Sequence, residues 1–256
     1  MKRLLAILPI LALLATSCYK EPYAEVVVTP NPAFVGEDIE FTNLSLNGRD
    51  FEWNLGDGTT STYFDLVHYY VDPGKYTASL SAYGKKGDAS TVYFDVDVTG
   101  SSLTVEVRDY ETEALIQDAS VVLFHSLNAW DEANYDNIVA EAFTDGYGEC
   151  TFSNLSYQRY YVDVYWRSGD VGWVNWILGA EDVVWIETQM LPGGYNHKFI
   201  AYVDYVTFTD KKKSAGEDMV RPDVRPPLKD LSSNLKSTGV NRPLKENKSS
   251  VKVERK

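Results

Sequence analysis

Phe51-Glu52-Trp53-Asn54-Leu55-Gly56-Asp57-Gly58 runs from an alternating apolar pattern into a tight turn, and it decides the fold of the region around it. Phe51, Trp53 and Leu55 alternate with Glu52 and Asn54, the period of a strand with one face inside. Gly56 and Gly58 accept backbone angles that other residues resist, and Asp57 between them can bond to the turn's own backbone. Outward in both directions, apolar strand patterns recur at Val26-Val27-Val28, at Ile39 and Phe41, over 76–80 and over 92–98. Turn signals separate them at Pro30-Asn31-Pro32, Asn47-Gly48, Asp72-Pro73-Gly74 and 84–87. Short strands punctuated in this way predict a β-sandwich over 22–99, with Trp53 in the core between its sheets.

Two further motifs fall at fixed distances from that turn: His68-Tyr69-Tyr70, then Pro73-Gly74-Lys75-Tyr76-Thr77. Together these residues resemble the PKD domain, an immunoglobulin-like sandwich. The family's W-x-F-G-D-G turn is met by Trp53, Gly56, Asp57 and Gly58, with Leu55 in place of Phe. Its H-x-Y strand is met by His68 and Tyr70. Its P-G-x-Y-x-V hairpin is met by Pro73, Gly74 and Tyr76, with Ala78 in place of Val. The resemblance implies a spacer, an adhesion module or a polysaccharide-binding accessory, and the fold alone does not choose among these. It makes His68 a structural strand residue rather than a base or ligand.

A joint at Thr99-Gly100-Ser101 leads into a second β-module over 101–209. Leu103, Val105 and Val107 alternate with polar residues. Ala119, Val121 and Leu123 follow, then Thr144-Asp145, Gly148, Phe152 and Leu155, then Tyr160, Val162 and Val164. Residues 103–165 resemble the carboxypeptidase regulatory-like domain, a transthyretin-like β-sandwich, which implies no catalytic machinery. The stretch 125–137 departs from that pattern by its length and its Asp and Glu, and 167 onward is unlike the family. The whole chain is thus expected to be all-β, two sandwiches in tandem.

The ends have a different character. Lys2-Arg3 and the apolar run from Leu4 to Leu14 form a secretory signal, too short to span a bilayer. Leu14-Ala15-Thr16-Ser17-Cys18 resembles a bacterial lipobox, which implies a signal peptide over 1–17 and a lipid on Cys18. An ordinary cleaved signal with an incidental cysteine is the plainer account. Lys20-Glu21 looks like the charged export signal of Bacteroidetes surface lipoproteins, so 18–21 reads as a tether on the outer membrane. The cell surface is expected, and the periplasmic face stays open. From Lys211 to Lys256 the chain holds 13 Lys and Arg against 6 Asp and Glu and no aromatic residue. A disordered basic tail over 210–256 follows.

Composition excludes some functions. The chain has 256 residues, a net charge of −13 and 13% aromatic residues. The charge argues against nucleic acid as a partner. Two cysteines cannot make a disulfide scaffold, so Cys150 is expected as a buried free thiol. No hydrolase, nucleotide or metal motif occurs, and His68, His125 and His197 lack ligand spacing. Asp95, Asp97, Thr99, Gly100 and Glu106 approach a calcium loop, but in a strand context. Asp131, Glu132 and Asp136 read as a solvated acidic loop. No cofactor, metal or catalytic residue is therefore expected.

Trp166, Trp173, Trp176 and Trp185 crowd into twenty residues. Two readings stand: core residues of the sandwich, or an open aromatic surface for a glycan or a surface protein. Trp173 and Trp176 differ by three, so on one strand they face opposite ways. A non-enzymatic recognition lipoprotein is the expected function. The alternatives are a structural subunit of a surface assembly pairing through strand edges, and a hydrolase accessory protein.

Overall fold

The computed structural model describes residues 19–175 and 186–208, together with the backbone of Leu235–Lys236. Cys18, Trp176 and Trp185 lie outside the described residues, as does the signal segment. Among the described residues the fold is all-β apart from one short helix and one 3₁₀ turn. By internal packing the chain divides into two compact units. The first takes the segment ending at Thr29, Glu40–Val67 and Tyr76–Asp95. The second takes Pro30–Ile39, His68–Lys75 and the described chain from Val96 onward.

The first strands are β1 (Val26–Thr29), β2 (Ala33–Phe34), β3 (Ile39–Asn43), β4 (Asp50–Asn54), β5 (Thr60–Ser61), β6 (Leu66–His68), β7 (Gly74–Tyr83) and β8 (Ala89–Thr99). They form a three-stranded sheet in the order β1-β3-β6 and a five-stranded sheet in the order β2-β8-β7-β4-β5. Alternation decides what is inside. Phe41, Trp53, Leu80 and Ala82 are buried, while Glu40, Glu52 and Asn54 face out. In the first unit, Phe41 on β3 meets Trp53 on β4 edge to face, with ring centroids 6.0 Å apart.

The second unit continues with β9 (Ser101–Asp109), β10 (Ser120–Phe124), α1 (Leu127–Asp131), a 3₁₀ turn (Tyr135–Asn137), β11 (Ala140–Phe143), β12 (Glu149–Leu155), β13 (Tyr161–Ser168), β14 (Val171–Val174), β15 (Asn196–Phe208) and the two-residue β16 (Leu235–Lys236). The strand order is β11-β10-β13-β14-β15-β9-β12, and β16 adds to β15. The long strand β15 holds the sheet together. Asn196–Val203 pairs parallel with β9, and the residues from Asp204 pair antiparallel with β14. Inward side chains from β9, β10, β12, β13 and β15, among them Leu103, Val105, Val121, Phe152, Val162 and Ala201, make the main core.

The acidic stretch at 125–137 folds rather than looping free. Ser126 caps α1 by accepting from Ala129 N at 3.2 Å. Trp130 is then buried, with its Nε1 donating to Val162 O at 3.1 Å. This covers the other face of the sheet, where Val122, Phe124, Tyr165, Val174 and Val206 form a second core. Every residue of β10 is accordingly buried, as expected of a strand covered on both faces. Asp131, Glu132 and Asp136 stay exposed.

Pro30–Ile39 and His68–Lys75 join the second unit through backbone bonds. Gly193 N donates to Val35 O at 2.9 Å, and Tyr157 N donates to Val71 O at 2.8 Å.

Candidate functional site

The residues that mark the first sandwich in the sequence are scaffold. Trp53 is fully buried and its Nε1 donates to Tyr63 O at 2.9 Å. The turn after it is closed by side chains. Asn54 Oδ1 accepts from Gly56 N and Asp57 Oδ1 from Thr59 N, both at 2.9 Å. Gly56 has φ +84°, and a Cβ there would stand 2.7 Å from Thr77 O. Tyr70 is buried, and His68 lies edge-on to its ring at 4.8 Å. Pro73 and Gly74 open β7, and Tyr76 is half-buried on it.

In the second unit Thr144, Asp145 and Gly148 build the turn that carries the chain from β11 to β12, strands that lie at opposite edges of the sheet. Thr144 Oγ1 donates to Ile116 O at 2.7 Å and accepts from Ala119 N at 2.9 Å. Asp145 Oδ1 accepts from Tyr147 N and Glu149 N. Cys150 is buried among apolar side chains, and that burial pushes its thiol up to about 12.

Trp166 and Trp173 face each other across β13 and β14, and Trp173 faces Tyr205 across β14 and β15. The three rings form a row, with centroid separations of 5.0 and 5.1 Å. The rings are inclined by 66° and 68°, so each contact is edge to face and the row is not a flat shelf. Both Trp are half-buried and pack on the main core. Tyr205 is 41% exposed. Trp173 Nε1 also donates to Asp109 Oδ2 at 2.8 Å. Trp166 and Trp173 are therefore mostly packing, and the most open ring of the row is Tyr205.

Asp95 and Glu106, two positions of the near-calcium pattern, have protein partners. Thr77 Oγ1 donates to Asp95 Oδ1 at 3.0 Å. Glu106 is held by Arg108 and by Lys198, and Lys198 Nζ also bonds Glu149 Oε1 at 2.7 Å. Burial works to raise the Glu106 pKa, but the two cations outweigh it and hold the carboxyl below its ordinary value. His197 Nε2 donates to Pro192 O at 2.9 Å. Among the described residues no group of three or more His, Cys, Asp or Glu is placed to hold a metal ion.

A surface the sequence motifs do not mark lies on the outer face of the five-stranded sheet. Ser81 and Thr91 hydroxyls bond at 2.8 Å and Thr77 bonds Asp95, which places Ser79 opposite Tyr93 between those two rungs. Ser79 in turn faces Asn54, and Ser81 faces Glu52. The result is a rung Asn54–Ser79–Tyr93 flanked by Glu52–Ser81–Thr91 on one side and Thr77–Asp95 on the other. Tyr93 is 71% exposed. Tyr83, next to this face, donates its hydroxyl to Glu52 Oε2 at 2.9 Å, and that carboxylate raises the phenol pKa. The sequence held a signal for this site: Val92, Phe94, Val96 and Val98 take the inward parity, so Tyr93 is the aromatic on the outward one.

Collagenase ColA of Bacillus cereus is 35% identical over 92 residues, which is 34% of this chain and 9% of the collagenase. The chain therefore spans less than a tenth of that relative. The PKD1 domain of Vibrio anguillarum Epp is similar at 24% identity, over 31% of this chain and 94% of that one, with a TM-score of 0.28. The PKD1 domain of the Vibrio cholerae metalloprotease PrtV is similar at 25% identity, over 31% and 98%, with a TM-score of 0.27. The family model for the PKD domain matches residues 19–98, so this part of the chain carries a PKD domain.

Proposed function

We propose that this chain is an exported, lipid-anchored protein that recognises a glycan at the cell surface and performs no chemistry of its own. The observation that carries the recognition is Tyr93, an open ring on the outer sheet face between rungs of amide, hydroxyl and carboxylate groups. An aromatic face packs against the C–H face of a pyranose, and a few placed polar groups fix its orientation. Tyr205 offers a second aromatic contact, held in place by Trp173 and, through it, Trp166.

The anchor rests on Leu14-Ala15-Thr16-Ser17-Cys18, with the outer membrane as partner. The second unit is read as a carboxypeptidase regulatory-like sandwich, supported by the side-chain-closed turn that Thr144, Asp145 and Gly148 build. Assembly through strand edges is less well supported. Among the described residues the edge strands β1, β2, β5, β6 and β11 have four residues or fewer, and β12 breaks register between Phe152 and Leu155. Short or bulged edges resist pairing with another chain.

Two experiments test the proposal. Metabolic labelling with a palmitate analogue should mark the wild-type chain and not Cys18→Ala. Retardation of the full chain in gels containing polysaccharides, lost in Tyr93→Ala, tests recognition. No retardation in any gel contradicts it.

A further inference from the structure

The second unit holds a groove that no motif marks. It consists of two concavities, of about 390 and 320 Å³, that share Phe34, Gly194 and Tyr195. One end is built by a break in β12. Between Phe152 and Leu155 the register against β9 shifts, and Asn154 takes φ +58°. Bulges re-aim side chains at functional places, and a non-glycine residue with positive φ is conformational strain that the surroundings must hold. Gly100 makes room for it, since a Cβ there would stand 2.6 Å from the Asn154 backbone.

The lining chemistry is specific. The ten residues around this end include no charged side chain, in a protein whose net charge is −13. Ser101, Ser102, Ser153, Asn154 and Asn196 supply hydroxyls and amides, while Phe34 and Tyr195 supply rings. Ser102 Oγ is already bonded to Asn196 Oδ1. Ser101 differs: its residue is 1% exposed and its hydroxyl has no hydrogen-bond partner. A buried hydroxyl left unpaired is costly, and such a group in a folded protein calls for an explanation.

We propose that this groove is a second carbohydrate site, taking a neutral oligosaccharide. One sugar sits at the Ser101–Asn154 end and the chain crosses Phe34 toward Val35–Glu37. Uncharged donors and acceptors beside aromatic rings match a polyol, and the lack of any cation in the lining disfavours an acidic glycan. The site is independent of the Tyr93 face.

The test is calorimetric titration of the full chain with cellohexaose, mannohexaose and chitohexaose, and with hexagalacturonate as the anionic probe. At least one neutral hexamer is expected to bind, and hexagalacturonate is not. Ser101→Ala and Asn154→Gly, the latter keeping the left-handed backbone, should each weaken binding by about 10-fold, the loss of roughly one hydrogen bond. Ser101→Ala should melt no lower than wild type, which separates a lost contact from a lost fold. Tyr93→Ala and Tyr205→Ala should leave this binding unchanged. The inference is overturned if no neutral hexamer binds, if Ser101→Ala and Asn154→Gly bind as wild type does, or if hexagalacturonate binds as well as the neutral probes.

Discussion

Trp173 Nε1 donates to Asp109 Oδ2 at 2.8 Å, and this one bond ties β14 to the turn that ends β9. The other oxygen of the same carboxylate accepts from Glu111 N at 3.0 Å, Thr112 N at 2.7 Å and Thr112 Oγ1 at 2.8 Å. Trp173 is thus fixed by a partner 64 residues away in sequence, and its indole edge is not available to a ligand. Trp173→Phe keeps an aromatic ring, a smaller one, and removes the donor. It should cost about 2 kcal/mol, the range for a hydrogen bond to a charged group. Urea unfolding at pH 7 measures this, and a midpoint equal to wild type would count against the role.

Asp109 and Glu106 make stability depend on acid. Burial opposes the charged form of each. Backbone and side-chain donors outweigh burial at Asp109, and Lys198 and Arg108 do so at Glu106, so both folded pKa values lie below the ordinary ones. Their contribution is fully present above the unfolded carboxyl range, about 4. It falls away as pH drops through that value toward the lower folded ones. Urea midpoints measured from pH 7 to pH 3 should fall more steeply for wild type than for Asp109→Asn or Glu106→Gln below about pH 5.

Lys198 lies between Glu106 and Glu149, with the Glu106 side chain 7% exposed and that of Lys198 36%. Such a pair stands between an exposed ion pair, worth under about 1 kcal/mol, and a buried one, whose breaking costs about 3–5. Lys198→Met should therefore destabilise by about 2 kcal/mol. The double variant with Glu106→Gln should recover part of that loss, because no buried carboxylate is then left short of one of its two cations.

Gly56 and Gly58 both have positive φ, but only Gly56 is crowded. A Cβ at Gly56 meets Thr77 O at 2.7 Å, and one at Gly58 meets nothing within 4 Å. Gly58→Ala should cost about 1 kcal/mol from backbone strain alone, and Gly56→Ala clearly more. Equal melting temperatures for the two variants would contradict this account of the turn.

The Cys150 thiol, pushed up to about 12 by burial, should be inert to an aromatic disulfide reagent at pH 8 in the native protein. It should react at once in 6 M guanidinium. Native-state reactivity at the denatured rate would show that β12 is open where the structure has it packed.

Local chemistry was legible in the sequence, and long-range pairing was not. Trp53, Gly56, Asp57 and Gly58 could be read because a turn with these φ values demands these residues at these spacings. The strand alternation of 103–107 and 162–164 likewise showed which side chains go inside. Parallel pairing of β15 with β9 could not be read, since no turn joins strands about 90 residues apart and nothing local sets the register. The covering role of 125–137 was hidden because its apolar content is little more than Leu127, Ala129 and Trp130, too short for a periodic pattern. Trp173 shows the limit most plainly. Its neighbours in sequence suggest an open aromatic cluster, while its true partner is Asp109. Tyr93 was missed: its outward parity lay in the 92–98 pattern, but an outward tyrosine among polar residues becomes a platform only when β4, β7 and β8 lie side by side.

The most direct measurement of the central claim is affinity electrophoresis of the full chain through gels that each contain one polysaccharide, neutral or acidic. Wild type is compared with Tyr93→Ala, a substitution at an open surface ring, and with Tyr205→Ala, which also removes the ring contact with Trp173. The account predicts retardation by at least one polysaccharide, lost in Tyr93→Ala while its melting temperature stays at the wild-type value. Equal mobility of wild type with and without every polysaccharide, or retardation that Tyr93→Ala leaves unchanged for every polysaccharide that retards wild type, would contradict it.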